Sequence, residues 1–125
     1  ARPLVTQEMI QETVNAAALM SAAAPAVPLT DTIKRAEGGR TAETLDRTQL
    51  WAVQTPQIFE AGLIRTAVKK AIDDGELLTD DCGAVERLGM PVTLTQGSRA
   101  NIKITTPLDL TFGEAILQAK GEDVL

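Results

Sequence analysis

Histidine and tyrosine are absent from this 125-residue sequence, cysteine and tryptophan occur once each, and phenylalanine occurs twice. Without histidine the chain lacks both the commonest zinc ligand and the side chain that most readily moves protons near neutral pH. The single thiol, Cys82, excludes an internal disulfide framework and fits a reducing compartment. Long apolar runs are missing as well. The longest, residues 16–24, is mostly alanine and is interrupted by Ser21, so it cannot span a bilayer, and no secretory signal pattern is visible. These absences predict a cytoplasmic protein with no membrane partner. There is also no phosphate-binding P-loop, no Gly-x-Gly-x-x-Gly, no metal-ligand spacing and no serine in a nucleophile elbow. Any catalysis must then rest on charge placement and on phosphate held by a metal. A net charge of −5 argues against nucleic acid as a partner, although local lysines and arginines can still hold a small anion.

The composition is otherwise globular, with 44% hydrophobic and 23% charged residues, which excludes disorder and fibrous repeats. A chain of this length buries one core and forms at most one domain. Ala1-Arg2-Pro3 carries no initiator methionine and runs straight into Leu4-Val5-Thr6, as a sequence starting inside a domain does. A fragment is therefore expected, with a processed terminus as the alternative.

Thr6 is a good N-cap for a helix over residues 7 to about 22, with Ile10, Val14, Ala17 and Met20 on its apolar face. Residues 24–29 read as a strand, and Pro25 and Pro28 place it at a sheet edge or leading out of the sheet. Around Glu37-Gly38-Gly39-Arg40 two short polar strands make a hairpin with too few large apolar residues to fold onto a core of its own. Such a ribbon is expected to be an arm, about residues 28–48, that grips a second subunit; a solvent-exposed surface hairpin is the alternative. Asp46-Arg47-Thr48 forms a turn, and residues 50–54 return as a buried strand in which Trp51 serves packing. Phe59, Leu63, Ile64, Ala67, Val68 and Ala71 fall at helical spacing, ended by Asp73-Asp74-Gly75. Thr79-Asp80-Asp81 caps a short helix that Gly89 stops, and residues 92–95 form another strand.

The stretch that organises the chain is residues 101–110. Ile102 and Ile104 alternate with Lys103 and Thr105 as in a strand with one buried face. Thr106, Pro107 and Asp109 then form a capping box for a last helix, reaching about residue 119, that buries Leu108, Phe112, Ala115 and Ile116; beyond Lys120 the tail is expected to fray. Strands alternating with helices indicate an α/β sandwich with a partly parallel sheet, and the count of about three core strands is short for a doubly wound fold. Four polar clusters sit at strand ends or helix starts: Thr30-Asp31-Thr32-x-Lys34, Asp46-Arg47, Thr55-Pro56-Gln57 with Thr79-Asp80-Asp81, and Lys103. In an α/β fold such ends converge on one rim, where hydroxyls, helix amides and two cations can surround a phosphate.

Five ordered motifs carry a resemblance: Ala1-Arg2-Pro3; Val27-Pro28-x-Thr30-Asp31-Thr32-Ile33-Lys34; the run from Thr44-Leu45-Asp46-Arg47 through Leu50-Trp51 and Gln54-Thr55-Pro56-Gln57 to Phe59; Thr79-Asp80-Asp81; and Gly97-Ser98 with the 101–110 stretch. The chain resembles the C-terminal half of the methylerythritol phosphate cytidylyltransferases of non-mevalonate isoprenoid biosynthesis. The resemblance implies part of a Rossmann-like nucleotidyltransferase sandwich with a protruding β-arm. It also implies that 2-C-methyl-D-erythritol 4-phosphate and CTP are converted to 4-diphosphocytidyl-2-C-methyl-D-erythritol and pyrophosphate. By the same resemblance Arg47 and Lys103 hold and aim the sugar phosphate, Thr32, Thr55 and Thr79 add hydrogen bonds, and Arg2 lies near the nucleotide. The resemblance further implies that Thr32 and Arg47 reach the site of the neighbouring subunit of a homodimer. Mg²⁺ is implied too, held mainly by CTP and by residues outside this chain, as is a glycine-rich nucleotide loop that this sequence lacks. The isolated chain is therefore expected neither to bind CTP well nor to turn over. The alternatives are a pentitol (ribitol) phosphate cytidylyltransferase and a non-catalytic dimerisation fragment.

Overall fold

The computed structural model describes residues 1–124 as a four-stranded sheet with helices and a separate two-stranded ribbon. Helix α1 (Gln7–Met20) is capped by Thr6, whose hydroxyl accepts from the Met9 amide, and strand β1 (Ala22–Pro28) follows at once. The ribbon consists of β2 (Lys34–Glu37) and β3 (Arg40–Thr44). A 3₁₀ turn (Arg47–Gln49) leads into β4 (Trp51–Val53), then β5 (Ile58–Phe59), α2 (Ala61–Asp73), α3 (Asp81–Arg87), β6 (Thr93–Gln96) and α4 (Pro107–Val124).

Strand β1 is the centre of the sheet, not its edge. It pairs in parallel with β6 on one side, and antiparallel with β4 and then β5 on the other. Its prolines survive there because of where their missing N–H groups fall. The Pro25 carbonyl accepts from Gln54 N at 2.8 Å, so its nitrogen faces the same side, at the point where the chain leaves β4 through the cis Thr55–Pro56 bond before β5 begins. The Pro28 carbonyl instead takes the Arg99 guanidinium at 2.8 Å, beyond the last β6 pairing. A proline removes a ladder bond only if a partner stands opposite, and neither proline here faces a regular one.

Alanine dominates β1, and residues 22–26 are fully buried, so helices approach it closely. Ala67 of α2 and Ala84 and Val85 of α3 close over Ala22, with Phe59, Leu63, Ile64, Val68, Leu88 and Val92 packed around them. Helix α1 packs along β1 and β6, but with Met9, Thr13 and Ala17 inward. The expected Ile10, Val14 and Met20 stripe is 39%, 40% and 57% exposed; of that face only Ala17 is buried. The register one residue away wins because small side chains let α1 reach the sheet and because Thr13 Oγ1 meets both Met9 O at 2.8 Å and Thr95 Oγ1 at 3.1 Å.

Other expectations also need correction. Strand β4 is not buried, and Trp51 and Val53 are 46% and 37% exposed. Phe59 belongs to β5, and α2 starts two residues later with Glu60 as its cap. Residues 101–105 keep the predicted alternation, with Lys103 exposed between half-buried Ile102 and Ile104, yet they join no ladder. Among the described residues their long-range backbone bond runs from Ile104 N to Ala1 O of the same chain. Helix α4 extends past Lys120 to Val124 and leaves Leu108 and Phe112 61% and 52% exposed and Ala115 exposed as well; among its described positions Gly113 is the buried one.

The ribbon matches its turn chemistry. Gly38 and Gly39 both have positive φ (56° and 78°), as a two-residue type I′ hairpin requires, and every residue of β2 and β3 is exposed. At the head of α4 the capping box forms in both directions: Asp109 N donates to Thr106 Oγ1, and Asp109 Oδ2 accepts from the amides of Thr105 and Thr106 and from the Thr105 hydroxyl. Those bonds, the Thr105 amide first, hold the Asp109 carboxyl down to about 2. Because the folded value lies below the unfolded one near 3.9, the capping stabilisation is complete above pH ~4 and is lost as pH falls towards 2. An NMR titration of the Thr105 and Thr106 amides should show a step with its midpoint near 2, and Asp109→Asn should remove that step; a midpoint at the ordinary value would contradict the cap.

Candidate active site

A cleft of about 440 Å³ opens where the end of β4, the start of α3, residues 1–2 and Lys103 meet. Each wall has a local cause. The chain leaves β4 at Val53 and turns at Thr55–Pro56, which leaves the Thr55 side chain exposed on the rim. Asp80 is the N-cap of α3: its Oδ1 accepts from Gly83 N at 2.8 Å, and its Oδ2 accepts from Gln57 Nε2 at 3.0 Å. Gln57 Oε1 in turn accepts from Cys82 N at 3.1 Å. The Cys82 and Gly83 amides at the start of α3 are thereby satisfied within the protein and are not free for an anion, contrary to the sequence expectation. Thr79 stands exposed beside this cap.

Two cations face this polar wall. Arg2 Nη1 donates to Asn101 O at 2.6 Å, and partial burial lowers its pKa, although a guanidinium stays protonated under any condition in which the protein is folded. Lys103 is exposed and has no carboxylate within 4 Å among the described residues. Against these two positive charges the lining supplies one carboxylate, Asp80, already engaged by two donors. The cleft is therefore suited to an anion. Cys82, just behind it, is no nucleophile: burial first, then the charges of Asp80, Glu86 and Asp81, push its thiol up to about 12.

Arg2, Thr55, Thr79 and Lys103 thus come together, while Thr32 and Arg47 do not join them in this chain. Both lie on the stem of the ribbon, where Arg47 Nη1 donates to Thr30 O at 2.7 Å and both side chains are exposed.

Comparison with known proteins gives this geometry a family. The statistical description of 2-C-methyl-D-erythritol 4-phosphate cytidylyltransferase matches residues 1–119. The chain belongs to that family. A cytidylyltransferase of this name from Bacillus velezensis is 54% identical over 121 residues, 96% of this chain and 52% of the relative. One from Geobacillus kaustophilus is 51% identical over 120 residues, 96% of this chain and 53% of the relative. Among solved structures, the Thermus thermophilus cytidylyltransferase superposes with a TM-score of 0.85 at 36% identity, over 94% of this chain and 58% of that one. The Francisella tularensis cytidylyltransferase gives 0.86 at 28% identity, over 93% and 55%. The chain spans about half the length of the curated relatives it matches. The mixed sheet with flanking helices is accordingly a cytidylyltransferase α/β fold.

Sequence reasoning named Gln57 and Asp80 only as members of polar clusters, and Gln54 and Asn101 only as members of longer motifs, and gave none of the four a role of its own in the wall. The Gln54-Thr55-Pro56-Gln57 run was the available signal, since two amides flanking a strand stop are poor strand formers with polar ends to satisfy. The residues present do not make a magnesium site: Asp80 is the only lining carboxylate, and no cluster of three acidic or thiol ligands exists among the described residues. Among those residues no helix is long and apolar enough to cross a membrane.

Proposed function

We propose that this chain forms the sugar-phosphate side of a cytidylyltransferase that joins 2-C-methyl-D-erythritol 4-phosphate to CTP. The products are 4-diphosphocytidyl-2-C-methyl-D-erythritol and pyrophosphate. The observation that carries this reading is the cleft itself, where Arg2, Lys103, Thr55 and Thr79 surround a space whose one lining carboxylate, Asp80, is already engaged in a helix cap. Family membership supplies the substrates.

In this reaction an oxygen of the sugar phosphate attacks the α-phosphorus of CTP. The bond from that phosphorus to the bridging oxygen breaks, and its electron pair leaves with pyrophosphate. The attacking oxygen is already anionic, so no base is needed to create it, and a site without histidine suffices. What the chain must supply is charge neutralisation and aim. Lys103 holds the sugar phosphate, Thr55 and Thr79 donate hydrogen bonds to it, and Arg2 screens repulsion towards the nucleotide. Arg47 and Thr32, which this chain keeps on its ribbon stem, serve the cleft of a neighbouring subunit in a homodimer joined through the ribbon. The exposure of every residue of the ribbon supports that arrangement. Magnesium enters with the nucleotide, held by its phosphates and by residues outside this chain. The complete enzyme works in the cytoplasm.

Steady-state assays of the full-length protein test the reading. With CTP and Mg²⁺, pyrophosphate release should proceed with kcat/KM at least about 100-fold higher for 2-C-methyl-D-erythritol 4-phosphate than for ribitol 5-phosphate. Equal use of the two, or none of the first, would overturn it.

A further inference from the structure

We infer that Asn101 and Gln54 form a buried amide clasp that fixes the phosphate-handling groups of the cleft, with Asn101 as a positioning residue acting through Arg2, Thr55 and Lys103. The inference rests on the functional reading above and adds a determinant that the cleft lining does not display.

Gln54 is 6% exposed and pairs its amide with the backbone of Ser98: Nε2 donates to Ser98 O at 2.8 Å and Oε1 accepts from Ser98 N at 3.2 Å. This two-point match settles which end of the Gln54 amide is oxygen. Asn101 is completely buried, and its Nδ2 lies 3.3 Å from that oxygen and 3.1 Å from Thr55 O. The opposite orientation of the Asn101 amide would set oxygen against two oxygens, so the network also settles Asn101 as the donor. Its backbone completes the tie, because Asn101 O receives Arg2 Nη1 and Asn101 N closes a turn onto Ser98 O at 3.0 Å. Lys103 follows two residues later on a segment that no sheet ladder restrains. One residue therefore touches the backbone of Thr55, the guanidinium of Arg2 and the root of the Lys103 segment.

Two further observations indicate that this arrangement is not incidental packing. Asn101 Oδ1 is buried without a partner among the described residues, so the asparagine is kept although one of its two polar atoms gains nothing from the core. The close approach of the clasp to β1 also demands a residue without a side chain at position 97: a Cβ on Gly97 would stand 2.6 Å from Gln54 Oε1 and 2.9 Å from Ala26 O. What the asparagine provides is a side-chain donor to Gln54 Oε1 and Thr55 O on a residue whose own carbonyl accepts from Arg2, so that a loop, an arginine and a lysine-bearing segment share one register. An error of about 1 Å in such groups is enough to lose most of their effect on a phosphate.

The test uses the full-length protein with Asn101→Ala, and with Gln54→Met should the first variant not fold. Ala71→Gly, a buried helical position on α2 away from the cleft, is a control that lowers stability without touching the clasp. Inorganic phosphate binding, followed by NMR at Arg2 and Lys103, should weaken at least about fivefold in the clasp variant and stay within about twofold in the control. KM for the sugar phosphate should rise about tenfold, while KM for CTP moves less than about twofold. Unchanged phosphate binding in a folded clasp variant, or an equal loss in Ala71→Gly, would overturn the clasp. If the wild-type protein binds phosphate in the cleft but does not turn over the two proposed substrates, the functional reading fails, and the phosphate titration still decides the clasp.

Discussion

Replacing Lys103 by alanine in the full-length enzyme is expected to lower kcat/KM for the sugar phosphate by about 100-fold, equivalent to about 2.7 kcal/mol, while the Kd for CTP changes less than about threefold. The asymmetry follows from position. Lys103 stands on an extended segment beside Thr55 and Thr79, and its ammonium has no acidic partner among the described residues to occupy it. Its charge is therefore available to whatever anion enters. The magnitude is that of a charge-assisted hydrogen bond to a phosphate, whose charge exceeds that of the carboxylate in an ordinary surface pair. Isothermal titration with CTP alone, set beside initial rates with varied sugar phosphate, separates the two quantities. Equal losses in both would remove Lys103 from the sugar-phosphate role.

The second large effect concerns the ribbon. Full-length Arg47→Ala and Lys103→Ala variants should each be nearly inactive alone, yet unfolding and refolding them together should restore activity to about a quarter of wild type. Random pairing makes half of the dimers hybrid, and each hybrid carries one cleft with both native side chains. The expectation arises because Arg47 lies on the ribbon stem, bonded to Thr30 O, while the cleft of its own chain is lined without it. If Arg47 served its own chain's cleft, no mixture would exceed the sum of its parts, and if it served none, Arg47→Ala alone would remain active. The rates of the separate and co-refolded variants distinguish all three cases.

The two experiments probe features of different legibility. The ribbon could be read from sequence because its turn is local: Gly38-Gly39 tolerates the positive φ that an I′ hairpin imposes, and the polar flanks forbid burial. The caps at Thr6, Asp80 and Asp109 were legible for the same reason, each being a side chain bonded to amides within four residues of itself. Helix α2 followed from apolar spacing, since Ala67 and Ala71 lie one turn apart on the face that meets α3 and the sheet. The motifs that carried the family resemblance are likewise strings of neighbours. Arg2, Thr55, Thr79 and Lys103 could be named as candidates, but their convergence depends on four separated segments.

The sequence by itself determined where helices start, where the hairpin turns, which family the chain belongs to and which cations were worth attention. These depend on contacts within a few residues, for which order along the chain is enough. Only the tertiary structure decided that β1, with its two prolines, is central, that α1 turns Thr13 inward instead of Ile10, and that Asn101 and Gln54 brace the cleft. In each case the outcome turns on which distant group stands opposite a given atom: a gap in a neighbouring strand beside Pro25, a threonine hydroxyl on β6, a carbonyl at Thr55. Such pairings form only when the chain has folded back on itself, because a hydrogen bond is specified by the positions of both partners and the sequence states only their identities.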